Sequence, residues 1–103
     1  MGFLAENPEF AMHMADIVKA LGHPIRLRTV ALLCSGDDSV NNLAERVGVG
    51  QAVLSQQLRI LRMAGLVSVE RKDGFAVYRL TERRLESLIA CLESCTLFRK
   101  DGV

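Results

Sequence analysis

The sequence predicts a mainly α-helical fold with a two-stranded β wing, that is, a winged helix-turn-helix. Residues 51–65 place leucines at helical spacing on one side and small or polar residues on another. A shorter helical segment, 40–47, precedes them across a glycine-containing turn, which is the arrangement of a helix-turn-helix. Further on, two alternating stretches flank Asp73-Gly74, a dipeptide typical of tight hairpin turns.

Two more helices are predicted ahead of this unit. Apolar residues recur at helical spacing over 10–21, and Gly22 ends that segment. Pro24 suits the first position of a second helix, which runs to Cys34. Residues 1–9 contain glycine and proline, and we expect a frayed start there.

The wing and a closing helix complete the predicted fold. Strands are expected at 66–71 and 76–80, because β-branched and aromatic residues alternate there with polar ones. Thr81 is a candidate N-cap for a last helix, 82–98, which has leucines and an isoleucine on one side. Ser39 is the corresponding candidate cap for the first helix of the helix-turn-helix.

Length and composition narrow the class of protein. The chain has 103 residues, half of them hydrophobic, so we expect a single domain over residues 1–103. No apolar run is long enough to cross a membrane, and there is no signal-peptide pattern. Three cysteines, an odd number, favour free thiols in the cytoplasm over a disulfide framework. The sequence suggests no Ser-His-Asp or Cys-His pairing and no phosphate-cradling glycine motif, so we expect neither an enzyme nor a bound cofactor. A small thiol enzyme is the alternative.

Charge is unevenly distributed along the chain. Residues 46–84 hold eight Lys or Arg and three Asp or Glu, a net charge of +5, whereas the rest of the chain carries −4. A basic part joined to an acidic part is typical of a protein that turns one face to nucleic acid. The alternative is a chance segregation of charge on a small protein.

The polar side of residues 51–65 has the chemistry to read base pairs. Ala52, Ser55, Gln56 and Arg59 recur at i, i+3, i+4 and i+7, and none is a large apolar residue. Gln pairs bidentately with adenine, Arg pairs with guanine, and a methyl or hydroxyl group can lie near the thymine methyl. The alternative is an ordinary amphipathic surface helix, whose exposed face is also polar.

Cations on the predicted hairpin indicate contacts with a nucleic-acid backbone. Arg71 and Lys72 lie at its tip, and Arg79 lies on its second strand. Such residues would contact phosphates beside the groove, which sets affinity and salt dependence rather than sequence choice. Charges at a hairpin tip also protect a strand edge from aggregation, and this is the alternative.

Five stretches of the chain together resemble one family of regulators. No single stretch is specific, but they occur in the right order over most of the chain. The family is the arsenical-resistance/SmtB (ArsR/SmtB) family of bacterial winged helix-turn-helix transcriptional repressors. The stretches are 20–27, 43–48, 54–58, 61–67 and 78–80.

The resemblance implies a function and an assembly. Members of the family are homodimers through their first and last helices, bind a palindromic double-stranded operator and release it when an inducer binds. Gln51, Ala52, Ser55 and Gln56 match the positions that typically face the major groove.

Two residues depart from the family pattern. Gly50 stands where a Ser or Thr cap is usual, and Gln57 stands where His is frequent. A glycine in place of a side-chain cap costs about a few tenths of a kcal/mol. Gln57 should be tolerated because Gln has good helix propensity.

The metal sites of the family are not matched by the residues of this chain. One site normally uses a Cys-x-Cys-like pattern, where this chain has residues 40–43 without a thiol. The other normally uses Asp, His and Glu on the last helix, which here has neither Asp nor His. We therefore expect no metal at either site. His13 is expected to be a solvated or packed histidine, and the alternative is that it joins a metal site across the dimer interface. His23 is expected at the start of a helix.

Three cysteines remain as candidates for sensing an inducer. Cys34 closes the second helix, and the spacing of Cys91 and Cys95 predicts that both lie on one side of the last helix. The resemblance implies either a disulfide or polysulfide link between these helices, formed by an oxidant or reactive sulfur, or thiolates that bind a soft metalloid. Inert packing is a third alternative.

A function of another class fits the same sequence features. A winged-helix module could bind an acidic protein partner with its basic face. Steep salt dependence of duplex binding, together with preference for an operator over random DNA, would separate the two functions.

Overall fold

The computed structural model describes residues 2–97 and has the predicted order of helices, helix-turn-helix, hairpin and closing helix. Apart from two short additions, α1 and β1, each described element corresponds to a predicted one. The described elements are α1 (Phe3–Glu6), α2 (Pro8–Leu21), α3 (Pro24–Cys34), β1 (Asp38–Ser39), α4 (Val40–Val47), α5 (Gln51–Met63), β2 (Val67–Lys72), β3 (Phe75–Leu80) and α6 (Leu85–Glu93).

The N-terminal helices begin earlier than the sequence predicts. The expected frayed start is wrong, because α1 forms within the first nine residues and α2 begins at Pro8. Asn7 explains the early start of α2, since its side-chain oxygen accepts the Phe10 backbone N–H at 2.8 Å. The Phe3 ring also lies against the Phe10 ring, with their centroids 4.9 Å apart.

The helix-turn-helix is formed by α4 and α5. Ser39 caps α4 as predicted, because its hydroxyl oxygen accepts the Asn42 backbone N–H at 3.2 Å. Gly48 adopts a left-handed conformation, with φ of +84°, and lets the chain turn into α5 within three residues. Gly50 provides no side-chain cap for α5, as expected from its residue type.

The sheet contains a strand that the sequence did not predict. The hairpin of β2 and β3 forms as predicted, and Asp73 and Gly74 both have positive φ in its turn. However, β1 also pairs with β3, placing Asp38 opposite Tyr78, so the sheet has three strands in the order β1-β3-β2. The prediction of two strands missed β1 because two residues are too few to show alternation.

Asp38 fastens the short strand to α4. Its carboxylate accepts the Ser39 backbone N–H at 2.8 Å, the Asn42 amide at 3.1 Å and the Arg46 guanidinium at 2.9 Å. Burial alone would raise the pKa of Asp38, but these hydrogen bonds outweigh burial and hold the pKa below its ordinary value. The wing is therefore tied to the start of the helix-turn-helix through a charged network.

One core holds the helices and the sheet together. Leu54, Leu58 and Leu61 are fully buried, which confirms the predicted apolar stripe of α5. Because α5 supplies three leucines to the core, its opposite side is directed outward. The stripe packs with buried residues from the other layers, namely Ala20, Leu21, Val30, Leu33, Leu43, Ala44, Leu66, Val67, Leu80, Leu85 and Ile89.

The last helix is shorter than predicted. It spans Leu85–Glu93, and the prediction that Thr81 caps it is wrong. The Thr81 hydroxyl instead donates to the Gly65 carbonyl, which joins the end of β3 to the end of α5. The end of the predicted helix, residue 98, lies outside the described residues. No helix in the described part of the chain has both the length and the apolar character to span a membrane.

Candidate nucleic-acid interface

The outward side of α5 is formed by the residues that the sequence singles out. Ala52, Ser55, Gln56 and Arg59 are all exposed, whereas the leucines of the same helix are buried. Among the described residues, neither Gln56 nor Arg59 has a hydrogen-bond or ion-pair partner. The Gln56 amide and the Arg59 guanidinium are therefore free to bind a ligand from outside the protomer.

Gln51 is in a different situation from the other candidate residues of α5. Its side chain is exposed, but its amide nitrogen donates to the side-chain oxygen of Asn41. Asn41 lies on α4, so this bond ties the start of α5 to the neighbouring helix. A contact of the Gln51 amide nitrogen with a base would compete with this internal bond.

The wing presents its three candidate cations at the surface. The Arg71 guanidinium donates to the Gly74 carbonyl at 3.2 Å, and the Arg79 Nε donates to the Ser68 hydroxyl at 3.3 Å. Lys72 finds no such partner in the described part of the chain, and all three side chains are exposed. Because β2 packs against α5, the hairpin lies beside the helix-turn-helix.

We call residues 46–84 the basic segment. Carboxylates form ion pairs with arginines at its two ends but not with the cations at its centre. Three arginines form ion pairs: Arg46 with Asp38, Arg83 with Glu86 and Arg84 with Glu82. The excess positive charge is thus concentrated on α5 and the hairpin, where a polyanion would be attracted. Within residues 2–97 no carboxylate pairs with the cations of these two elements, Arg59, Arg62, Arg71, Lys72 and Arg79.

Two contacts that hold the helix-turn-helix were not predicted from the sequence. The Arg26 guanidinium donates to the Gln57 side-chain oxygen at 2.7 Å, so the position that departs from the family pattern is bonded. The Arg28 guanidinium donates to the Val47 carbonyl at 3.0 Å. The partners are 31 and 19 positions apart, and the only signal for them was the presence of two arginines in a mostly apolar helix.

The three cysteines are free thiols in different environments. Cys34 ends α3 and is partly buried, whereas Cys91 is exposed on α6. That helix ends at Glu93, with Ser94 as its C-cap, and Cys95 is exposed beyond this end. The prediction that Cys91 and Cys95 share one side of a helix is therefore wrong, because α6 ends before Cys95.

The surroundings of Cys34 keep its thiol protonated. Burial raises the pKa of Cys34, the carboxylates of Glu86 and Glu93 raise it further, and the Arg83 guanidinium opposes them only in part. At neutral pH Cys34 is therefore a thiol, which is a poor nucleophile.

The two histidines do not form part of a metal cluster in the described chain. His13 is exposed on α2, and His23 caps α3 with its Nδ1, which accepts the Ile25 backbone N–H at 3.1 Å. Between residues 2 and 97, no group of three His, Cys, Asp or Glu residues could hold a metal ion. His23 thus has the structural position that the sequence predicts.

Comparison with known proteins identifies the family. The family model described as bacterial regulatory protein, arsR family, matches residues 23–69. The biofilm growth-associated repressor of Xylella fastidiosa (strain Temecula1 / ATCC 700964) is 42% identical over 82 residues, 80% of this chain and 72% of that protein. The chain belongs to the ArsR family. This ArsR-family chain is accordingly a transcriptional regulator rather than an enzyme, as the sequence predicts.

Solved structures confirm the winged helix-turn-helix class of this ArsR-family chain. The crystal structure of the transcriptional repressor BigR from Xylella fastidiosa matches with a TM-score of 0.82 and 37% identity, covering 94% of this chain and 97% of that one. The homodimeric winged helix-turn-helix DNA-binding domain of Mb0332 from Mycobacterium bovis matches with a TM-score of 0.74 and 27% identity, covering 82% and 79%.

Proposed function

We propose that this ArsR-family chain is a cytoplasmic homodimeric repressor that binds a palindromic operator in double-stranded DNA. Residues 1–103 would form a single DNA-binding and dimerisation domain. The observation that carries the proposal is the two-sided α5, whose leucines are locked in the core while Gln56 and Arg59 face outward without partners. In the major groove, base edges are contacted by Ala52, Ser55, Gln56 and Arg59. Gln51 also contacts a base if its amide nitrogen gives up the hydrogen bond to Asn41.

The hairpin supplies the contacts with the DNA backbone. Three exposed cations lie on this hairpin, next to α5, and form no ion pair with a carboxylate of the described residues. They are Arg71, Lys72 and Arg79. When they contact phosphates, they release condensed counterions, so affinity falls steeply as salt rises. These contacts orient the protein on the duplex without selecting a sequence.

A second copy of the chain covers the apolar surface of α2 and α6. Val18, Leu88 and Leu92 are exposed on these helices, and Val18 and Leu88 line a groove of about 400 Å³ between them. Burial of this surface against a partner removes apolar area from water. The homodimeric domain from Mycobacterium bovis supports this assembly. In such a dimer, the two α5 helices reach half-sites about 34 Å apart.

DNA selection and salt titration test the DNA-binding function. The wild-type protein should enrich a palindromic sequence from a random duplex library and bind it more weakly as salt rises. Lys72→Ala should reduce the slope of log affinity against log salt by about 1 and weaken binding to selected and scrambled duplexes about equally. Lys19→Ala is the control, because Lys19 is an exposed lysine on α2, outside the basic segment.

Two outcomes would contradict this proposal. A flat salt response without sequence enrichment by the wild-type protein would reject the repressor and favour an acidic protein partner. An equal change of slope in Lys19→Ala and Lys72→Ala would show that the hairpin tip has no special contact with phosphate.

We propose further that the inducer acts on the cysteine thiols, as reactive sulfur or an oxidant. An oxidant such as peroxide removes two electrons from an exposed thiol, Cys91 or Cys95, giving a sulfenic acid and water. The small thiolate fraction of Cys34 then attacks that sulfur and displaces hydroxide, which takes up the released proton, so the products are a disulfide and a second water. Because α3 packs against α6, a link between them alters the helix that carries the dimer surface.

A soft metalloid such as arsenite is the second candidate inducer. Because a soft metalloid prefers sulfur ligands, it would be bound by the thiolates of Cys34, Cys91 and Cys95. However, the described chain does not bring three candidate ligands together, whereas a disulfide needs only two thiols. This difference is the reason for placing thiol oxidation or reactive sulfur first.

An operator-release assay tests the thiol switch. Peroxide or a sulfane-sulfur donor should lower the affinity of reduced wild-type protein for the selected duplex by about tenfold, a typical coupling between two sites. Cys34→Ala should bind like the reduced wild-type protein and fail to release, since the link to α6 cannot form. Arsenite and zinc are added in parallel, and mass spectrometry identifies the modified thiols. If alanine at all three cysteines leaves every response intact, the thiol switch is rejected.

A further inference from the structure

One guanidinium group connects three helices of this protein. Arg26 lies near the start of α3, and its Nε donates to the Ala20 carbonyl at 2.6 Å while its Nη1 donates to the Gln57 side-chain oxygen at 2.7 Å. Ala20 lies in the last turn of α2, and Gln57 lies in the middle of α5. A single side chain therefore spans from the proposed dimer helix to the proposed recognition helix.

The first of these bonds completes the end of α2. The last carbonyl groups of a helix have no partner within it. The Gly22 backbone N–H satisfies the Lys19 carbonyl, and Arg26 satisfies the carbonyl of Ala20, a residue that is only 7% exposed. Removal of the guanidinium would leave a buried acceptor without its partner, so the joint between α2 and α3 depends on this side chain.

The second bond limits the rotation of α5. Arginine has donors but no acceptor, so Gln57 must present its carbonyl oxygen to Arg26. A planar guanidinium with two occupied donors holds both partners in one geometry, which a lysine ammonium on a flexible stem does not reproduce. Because Gln57 is adjacent to Gln56, this bond also sets the angular position of the residue proposed to read a base.

We infer that Arg26 is a positioning residue for operator recognition, because it holds α5 at a set angle to α2. The inference rests on the proposed function, in which α2 lies at the dimer interface and α5 enters the groove. In that dimer, the angle between the two helices determines how far apart the two α5 helices lie. Random DNA is bound mainly through phosphates and places no demand on this distance.

A double-mutant cycle tests the inference. The variants are Arg26→Lys, Gln57→Leu and the combination of both, and Gln57→Leu keeps the test open if Arg26→Lys fails to fold. The probes are a duplex that the wild-type protein selects from a random library, its scrambled version, and versions with one base pair added or removed between half-sites.

A positioning role predicts a specific set of results. Each single variant should bind the selected duplex about tenfold more weakly, with an unchanged affinity for scrambled DNA and an unchanged salt slope. The variants should also discriminate less against the altered half-site spacing, an effect that a general loss of stability would not produce. The double variant should bind no more weakly than the weaker single variant, because both changes remove the same bond.

Arg28→Lys is the matched control, because Arg28 lies on the same helix and donates to α4 rather than to α5. It should retain the wild-type penalty for altered spacing. Additive losses in the cycle, an unchanged spacing penalty in Gln57→Leu, or an equal effect of Arg28→Lys would overturn the inference. If the wild-type protein enriches no duplex at all, the proposed function fails instead.

Discussion

Leu58→Ala is expected to lower the free energy of unfolding by about 2–5 kcal/mol. Leu58 is fully buried in the middle of the stripe that holds α5 against the body. Its truncation removes apolar contacts and leaves a cavity that the neighbouring leucines fill only in part. Since small domains are stable by about 5–15 kcal/mol in total, the loss is a large fraction of the stability of the fold.

Urea unfolding at a fixed protein concentration measures this loss, because the stability of a dimer depends on concentration. Met63→Ala is the control on the same helix, since Met63 is 76% exposed and should change stability by no more than about 0.5 kcal/mol. Equal losses in the two variants would mean that α5 is not held by its leucines. The assignment of its outward face would then also fail.

The parts of the fold that could be predicted are those that local patterns determine. The stripe of Leu54, Leu58 and Leu61 follows from helical periodicity, and the hairpin follows from a dipeptide that readily adopts positive φ. By contrast, β1 exists only because Asp38 meets β3, and two residues carry no periodic signal. Tertiary pairing of this kind cannot be seen along the chain.

Capping residues were predicted with mixed success for a physical reason. Ser39 and Thr81 are equivalent as sequence signals, since both are hydroxyl residues ahead of an apolar run. Ser39 caps its helix, but the Thr81 hydroxyl is taken by the Gly65 carbonyl, which the fold places next to it. A side chain with two possible partners bonds the one that the tertiary structure brings closer.

The candidate site, like the fold, has some features that local patterns predict and others that depend on contacts between helices. The outward residues of α5 were predicted because one helix determines both of its faces. The bonds from Arg26 to Gln57 and from Gln51 to Asn41 join different helices, so spacing gave no indication of them. For Cys95, the predicted spacing relation depended on a helix that ends too early.

Gln56→Ala is expected to weaken binding to the selected duplex by about 1–3 kcal/mol and to relax the preference at one base pair. The reason is that the exposed amide of Gln56 has no partner among the described residues and can pair bidentately with adenine. Binding measured against duplexes with each base pair of a half-site replaced in turn would locate the change.

Gln57→Leu is the matched comparison for this prediction, because it removes an amide one position further along the same helix. The Gln57 amide is bonded to Arg26, so its loss should change the tolerance for half-site spacing more than the preference at any single base pair. Gln56→Ala should instead change the preference at one base pair and leave the tolerance for half-site spacing as in the wild-type protein. If Gln56→Ala changes neither the affinity nor any base preference, α5 does not insert this side of the helix into the groove.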